Sequence, residues 1–354
     1  MFKIDISEDW FLKKYGEEVF SLLLKDHTTQ QNIYWATDSY ADTLGEGYTF
    51  FDPITIEKIT GEHDMTIRPR AIKSREEQAQ RVKYKAEVFT PSWICNALNN
   101  LVDEAWFGRS DVFNRPDPDN PKQWIDTEEH ITFPTPTGKT WKEYVADMRL
   151  EITCGEAPYL VSRADAVTAE PIENVNHRIG LLDRKLRVVS ENIENPSDWL
   201  VWGKVALRST YGFEWQGDNL FLAREGVFMS FIEHYMARFG KEPDKRSTKG
   251  IAYIVSWNIW QMDGLTFGLP GYTPLEKEEQ KKPRHRQVSL LDDPDFFAAE
   301  ESVERELLPH EKLCRVKDFF KGINLGKPDL KNRDFHDLNA QQLMFKSLVN
   351  KTKK

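Results

Sequence analysis

The chain has 354 residues, 40% hydrophobic, 12% aromatic and 30% charged, with a formal net charge of −9. This composition excludes an intrinsically disordered chain and allows one large α/β domain with attachments. The acidic balance argues against a surface that coats DNA broadly, and three cysteines without a CxxC pair (Cys95, Cys154, Cys314) argue against a disulfide framework or a zinc site.

The N-terminus lacks a signal-peptide core, and no segment approaches eighteen consecutive apolar residues, so the expected location is cytoplasmic, away from any membrane. Residues 1–85 read as an N-terminal extension. It holds an amphipathic stretch near Trp10 to Leu24, followed by turn-rich sequence through Gly45-Glu46-Gly47 and Asp52-Pro53. Ile67 to Lys85 carries seven Lys/Arg against two Glu, and the last forty or so residues are also Lys-rich. Each has two readings, a local nucleic-acid contact or a solvated basic surface.

A charged, helical run from about Ser74 leads into Glu87-Val88-Phe89-Thr90-Pro91, and Pro91 fits the first turn of a helix. Residues 109–138 are proline-rich and read as a surface excursion. Met148 to Thr153 alternates as a strand entering a turn at Cys154-Gly155. Residues 161–208 read as a largely helical insertion. Ser209 to Glu214 is a second strand, and Asp218 is placed as the N-cap of an apolar-periodic helix running to about Gly240. The second half of Ile251 to Asp263 suits a buried strand. Residues 272–312 are charged and read as a linker. Leu313 to Phe320 alternates like one more strand ahead of a basic tail.

Three strand–turn units ending in Glu151, Glu214 and Asp263 suggest a doubly wound sheet. Ligands of such sheets sit beyond the carboxyl ends of the strands, where an acid accepts hydrogen bonds from ribose hydroxyls. A nucleoside cofactor suits that geometry. A dinucleotide does not, because Gly155 is the turn's one glycine where a pyrophosphate cradle shows three. No P-loop occurs. Cys154 reads as a small turn-lining residue and not as a nucleophile, because no histidine partner is implied beside it.

Glu151-Ile152-Thr153-Cys154-Gly155-Glu156-Ala157-Pro158-Tyr159-Leu160 resembles the first S-adenosylmethionine (SAM) binding motif of adenine-specific DNA methyltransferases. Upstream, Phe89-Thr90-Pro91 is similar to the family's FTP element, whose Phe and Thr line the methionine end of the cofactor. Glu214 is similar to the second motif's ribose-binding acid, and Asp263 to the third motif's acceptor of the adenine amino group. The whole chain also looks like the short bacterial proteins labelled restriction endonuclease subunit M. The resemblance implies a Rossmann-like methyltransferase sheet over residues 86–271, the helical insertion included, then the charged linker and a C-terminal strand and tail at 313–354. It implies SAM as cofactor and site-specific methylation of adenine in DNA, within a restriction–modification or defence system. DNA is then reached through a partner chain, a specificity or restriction subunit.

Amino-group methylation needs a pocket that stacks a flipped base and hydrogen-bonds its amine. The family builds it with a Pro-Pro motif, and this sequence has no Pro-Pro. The nearest substitute is Asp318-Phe319-Phe320, which supplies a carboxylate and rings and reads equally well as an edge hairpin. The alternative function is therefore a catalytically inactive SAM-binding subunit that regulates or scaffolds a partner. A nuclease reading has no PD-(D/E)xK arrangement behind it, and the acidic pairs Asp292-Asp293 and Glu300-Glu301 read as linker charges.

Overall fold

The computed structural model describes residues 6–75, 77–79, 90–270, 314–319 and 341–344. The chain opens with two short helices, α1 (Glu8–Tyr15) and α2 (Glu17–Leu24), in place of one amphipathic stretch. Ser7 caps α1 by accepting from the Trp10 amide at 3.1 Å, and Gly16, at φ 84°, breaks the run between the helices. Phe11, Phe20, Leu23 and Leu24 are all fully buried, so this extension belongs to the main hydrophobic core. Pro91 is the N-cap of α3 (Ser92–Phe107), which ends on Gly108 in the left-handed region. The proline-rich excursion contains a small antiparallel pair, β1 (Asn114–Pro116) and β2 (Trp124–Asp126), and α4 (Trp141–Ala146) follows with a Thr140/Glu143 capping box.

The central element is a three-stranded parallel sheet. β3 (Arg149–Glu151) leads through α5 (Leu181–Asn192) and α6 (Pro196–Arg208) to β4 (Thr210–Glu214). α7 (Gly217–Phe239) and α8 (Lys245–Asn258) then lead to β5 (Ile259–Gln261), and the strand order is β3-β4-β5. The chain is mixed α/β. Neighbouring parallel strands cannot be joined by a hairpin, so each connection must cross over through helices. The stretch expected as an insertion, 161–208, supplies that crossover with α5 and α6. α5 is buried from Leu181 to Val189, including Lys185, whose ammonium donates to the carbonyls of Asp147 and Ser209 and to the Ser209 hydroxyl.

Asp218 does not cap α7. The helix starts at Gly217, whose amide donates to Trp35 O at 2.9 Å, and a Cβ at Gly217 would fall 1.9 Å from Tyr34 O. The Asp218 carboxylate instead accepts from the Tyr40 hydroxyl at 2.8 Å. The N-terminal extension is pinned a second time by Arg224. Its fully buried guanidinium donates to the carbonyls of Leu23, Lys25, Ser256 and Ile259 at 2.7 to 3.1 Å. Burial pulls its pKa down to about 10.

β6 (Arg315–Asp318) pairs antiparallel with β7 (Gln341–Met344) and does not join the parallel sheet. The Cys314 amide donates to Phe267 O, and Cys314 and Val316 pack on Phe213, Trp260 and Met262 on one sheet face. Among the described residues no helix is long and apolar enough to cross a membrane.

Candidate functional site

β3 and β4 both terminate in an acid, and their parallel register lines up those ends on one side of the sheet. Beyond Glu151 the chain turns tightly through three residues at positive φ, Thr153, Gly155 and Ala157. The Cys154 amide donates to Phe213 O at 2.8 Å, so the turn lies across β4. Gly212 makes that approach possible, since a Cβ there would meet Cys154 Sγ at 3.2 Å and Leu160 Cδ1 at 3.3 Å.

The two acids are held differently. Glu214 accepts from the Gly155 amide at 2.9 Å and from the Gln216 amide at 3.1 Å. Burial raises its pKa, and these backbone donors oppose the rise. Glu151 accepts from the Tyr159 amide at 3.4 Å on Oε1, and the Leu160 amide also lowers its pKa, while its shielded Oε2 has no hydrogen-bond partner. Burial pushes its pKa well above the carboxylate range, and the charge of Glu214 adds to the effect. A donor or cation beside this carboxyl favours its charged form.

Thr90 and Pro91 are brought to this turn through Tyr159, whose phenol interacts with Thr90 and Cys95. The Cys95 thiol lies 3.5 Å from Thr90 O, and burial with the nearby Glu151 pushes its pKa up to about 12. The Ser92 amide donates to Asp165 Oδ2 at 2.8 Å, which ties the start of α3 to the loop that follows the turn. Phe89 lies outside the described residues. Cys154 is buried at the centre of the turn, and its thiol pKa is pushed well up. A cleft of about 90 Å³ flanks the turn, between Pro69 and Ala71 on one side and Glu156, Pro158 and Leu222 on the other.

Asp263 sits two residues beyond β5. Its Oδ1 accepts from the amides of Leu265 and Thr266 at 2.7 and 3.0 Å, so the carboxylate closes its own turn. The group at the end of β5 is the buried Gln261, whose carboxamide bonds Tyr34 N, Tyr34 O and Trp215 O. The sequence reading passed over it. The Trp260/Met262 alternation marks Gln261 as the residue on the opposite face and was the available signal.

Asp318 ends β6, and its side chain lies outside the described residues. Phe319 is 1% exposed, packed in the main core beneath the Arg208 guanidinium at 5.5 Å. Its ring is enclosed, not an open platform for a base. In the basic 67–85 segment, Arg68 pairs with Glu77, Lys73 lies 3.9 Å from Asp218, and the Arg70 amide donates to Glu156 Oε1 at 2.7 Å. These partners are intramolecular. Among the described residues no cluster of His, Cys, Asp and Glu could hold a metal ion.

A separate groove of about 840 Å³ lies between α2 and α8, with Lys25, His27, Tyr253 and Trp257 in its lining. His27 stacks on Trp257 at 4.0 Å, and burial together with the charges of Arg224, Lys25 and Lys317 holds its pKa down to about 3. An imidazole stacked on Trp257 and neutral near pH 7 is a packing group and not a proton shuttle. Compared with protein-family models, with curated proteins and with solved structures, the chain matches none of them.

Proposed function

We propose that the chain is a SAM-dependent DNA methyltransferase-like protein, the adenine-modifying subunit of a restriction–modification or defence system, with its cofactor seated beyond the carboxyl ends of β3 and β4. The observation that carries this reading is the Glu151 side chain, a shielded carboxyl with an unpartnered Oε2 at a strand end facing a one-glycine turn. A buried polar atom without a partner costs about 1 to 3 kcal/mol, a cost that a ligand bearing a donor removes. Glu151 would hold the charged end of the cofactor. Glu214 would exchange its Gly155 amide bond for ribose hydroxyls, and Thr90 and Pro91 would close the methionine end. SAM when bound supplies an electrophilic methyl group on its sulfonium. The residues named here bind and orient it and exclude water from it. Asp263 fits the family role less well, because its carboxylate is committed to its own turn.

A second reading, a SAM-binding subunit without catalysis, is favoured by Phe319, whose burial leaves the aromatic half of the expected base site closed. Calorimetric titration with SAM, combined with transfer of labelled methyl to DNA in the presence of the neighbouring gene products, tests both. Binding and transfer support the enzyme. Binding without transfer supports the second reading, and no binding refutes both. Glu151→Gln, which keeps the shape of the side chain, should weaken SAM binding about 10- to 100-fold through loss of a charge-assisted contact.

A further inference from the structure

We propose that the outer face of α3 is the contact between two copies of this chain. α3 is inverted relative to an ordinary surface helix, in which the apolar stripe faces the core. Its buried face is mostly polar, with Cys95 and Phe107 as its apolar members. Asn96 bonds Asn114 and Arg184 at 2.9 and 2.7 Å, Asn99 donates to Tyr159 O and Ile179 O, and Asp103 accepts from Arg184 at 2.6 Å and from the Tyr144 hydroxyl at 2.9 Å. Most of its apolar residues face outward instead, with Trp93 36%, Leu98 45%, Leu101 61% and Val102 37% exposed, joined by exposed Ala97 and Ala105. Positions 93, 97/98, 101/102 and 105 recur every four residues and form one stripe. Single exposed apolar residues are ordinary, whereas a continuous stripe marks an interface.

The chemistry of the stripe selects the occupant. α3 carries no Lys or Arg, which disfavours phosphate groups of nucleic acid or of an anionic membrane surface. A second α3 fits, laid antiparallel about a twofold axis near Leu98. That arrangement sets bulky Trp93 against the second copy's small Ala105. It also sets Glu104, the exposed charge of the helix, beside the second copy's α3 N-terminus, where α3 has no acid of its own in the first turn. A negative charge at that end is favourable. A sixteen-residue helix is about 24 Å long, so the pair alone buries less than the roughly 800 Å² per partner of a standard interface. The dimer should accordingly be weak and concentration-dependent.

Sedimentation velocity of the full chain from about 1 to 200 μM tests this, since weak complexes populate in the upper part of that range. The expected result is a monomer–dimer equilibrium that shifts at least tenfold toward monomer in Leu101→Lys and in Leu98→Lys, with unchanged thermal midpoints. Cysteine pairs report the geometry against a low background, because Cys95, Cys154 and Cys314 are buried. Leu98→Cys should cross-link to itself, whereas Trp93→Cys should cross-link to Ala105→Cys and not to itself. A monomer at every concentration, as when the chain's own residues or a different protein cover the stripe, overturns the proposal. So does a dimer that ignores both lysine variants.

Discussion

Replacing Glu8 with glutamine should flatten the fall in stability between about pH 5 and 9 by the share that this one carboxyl contributes. Glu8 sits in the first turn of α1, 1% exposed, and accepts from the Met65 amide at 2.9 Å. Burial first, and the charge of Glu225 second, raise its pKa from 4.5 to about 9. Between those values the unfolded chain has released this proton and the folded chain keeps it. The native state then binds more protons, so stability falls as pH rises. The contribution is complete below about pH 4.5 and is lost as pH climbs through 9. At about 1.4 kcal/mol per unit, the full shift amounts to about 6 kcal/mol. This is a ceiling, because α1 lies at the chain end and can detach locally at lower cost. Glutamine keeps the acceptor for Met65 and carries no titrating proton. Urea unfolding followed by tryptophan fluorescence at unit steps from pH 5 to 9 measures the effect. The two proteins should be similar near pH 5, and Glu8→Gln should be the more stable by about 2 kcal/mol or more at pH 8. Parallel stability curves across this range would refute the assignment of Glu8 as a buried neutral acid.

Four further substitutions test the architecture around the site. Gly212→Ala should cost about 1 to 3 kcal/mol in thermal or urea unfolding, because its new Cβ meets Cys154 and Leu160 at 3.2 to 3.3 Å. Gly226→Ala, in α7 with only Val161 at 3.7 Å, should stabilise by about 0.5 to 1 kcal/mol, and equal effects at the two positions would contradict the packing described. Arg224→Met should destabilise by about 3 to 5 kcal/mol, since four buried carbonyls lose their donor and α2 loses its tie to α8 and β5. Limited proteolysis should then release the N-terminal helices first, and resistance equal to that of the parent chain would count against a pinning role. Phe319→Ala should cost about 3 to 5 kcal/mol as a core truncation. Unchanged stability with lost methyl transfer would instead identify the ring as part of a base pocket.

The strand ends were readable because their signals are local. An alternating apolar run that stops at an acid before a glycine turn announces itself at Glu151 and Glu214 within a few residues, and the helix from 217 to 239 follows from its apolar spacing. At Asp263 the same logic misled. The strand stopped at Gln261, because that amide is needed to bond the chain crossing at Tyr34 and Trp215, a neighbour more than two hundred residues away in one case. The N-cap role assigned to Asp218 failed for a related reason, as the backbone of Tyr34 and Trp35 occupies the start of that helix.

The amino-acid sequence by itself determined the alternation of strands and helices, the tight turn at Cys154-Gly155 and the absence of a glycine-rich cradle, since each depends on neighbouring residues and on backbone conformations they allow. Only the tertiary structure decided the β3-β4-β5 order, the burial of Glu8, Glu214 and Arg224, the shielding of Glu151 Oε2, and the inversion of α3. Apolar spacing alone would have turned Leu98 and Leu101 inward. The fold turns Asn96, Asn99 and Asp103 inward instead, because Arg184, Asn114 and Tyr144 wait there with the partners that make polar burial affordable.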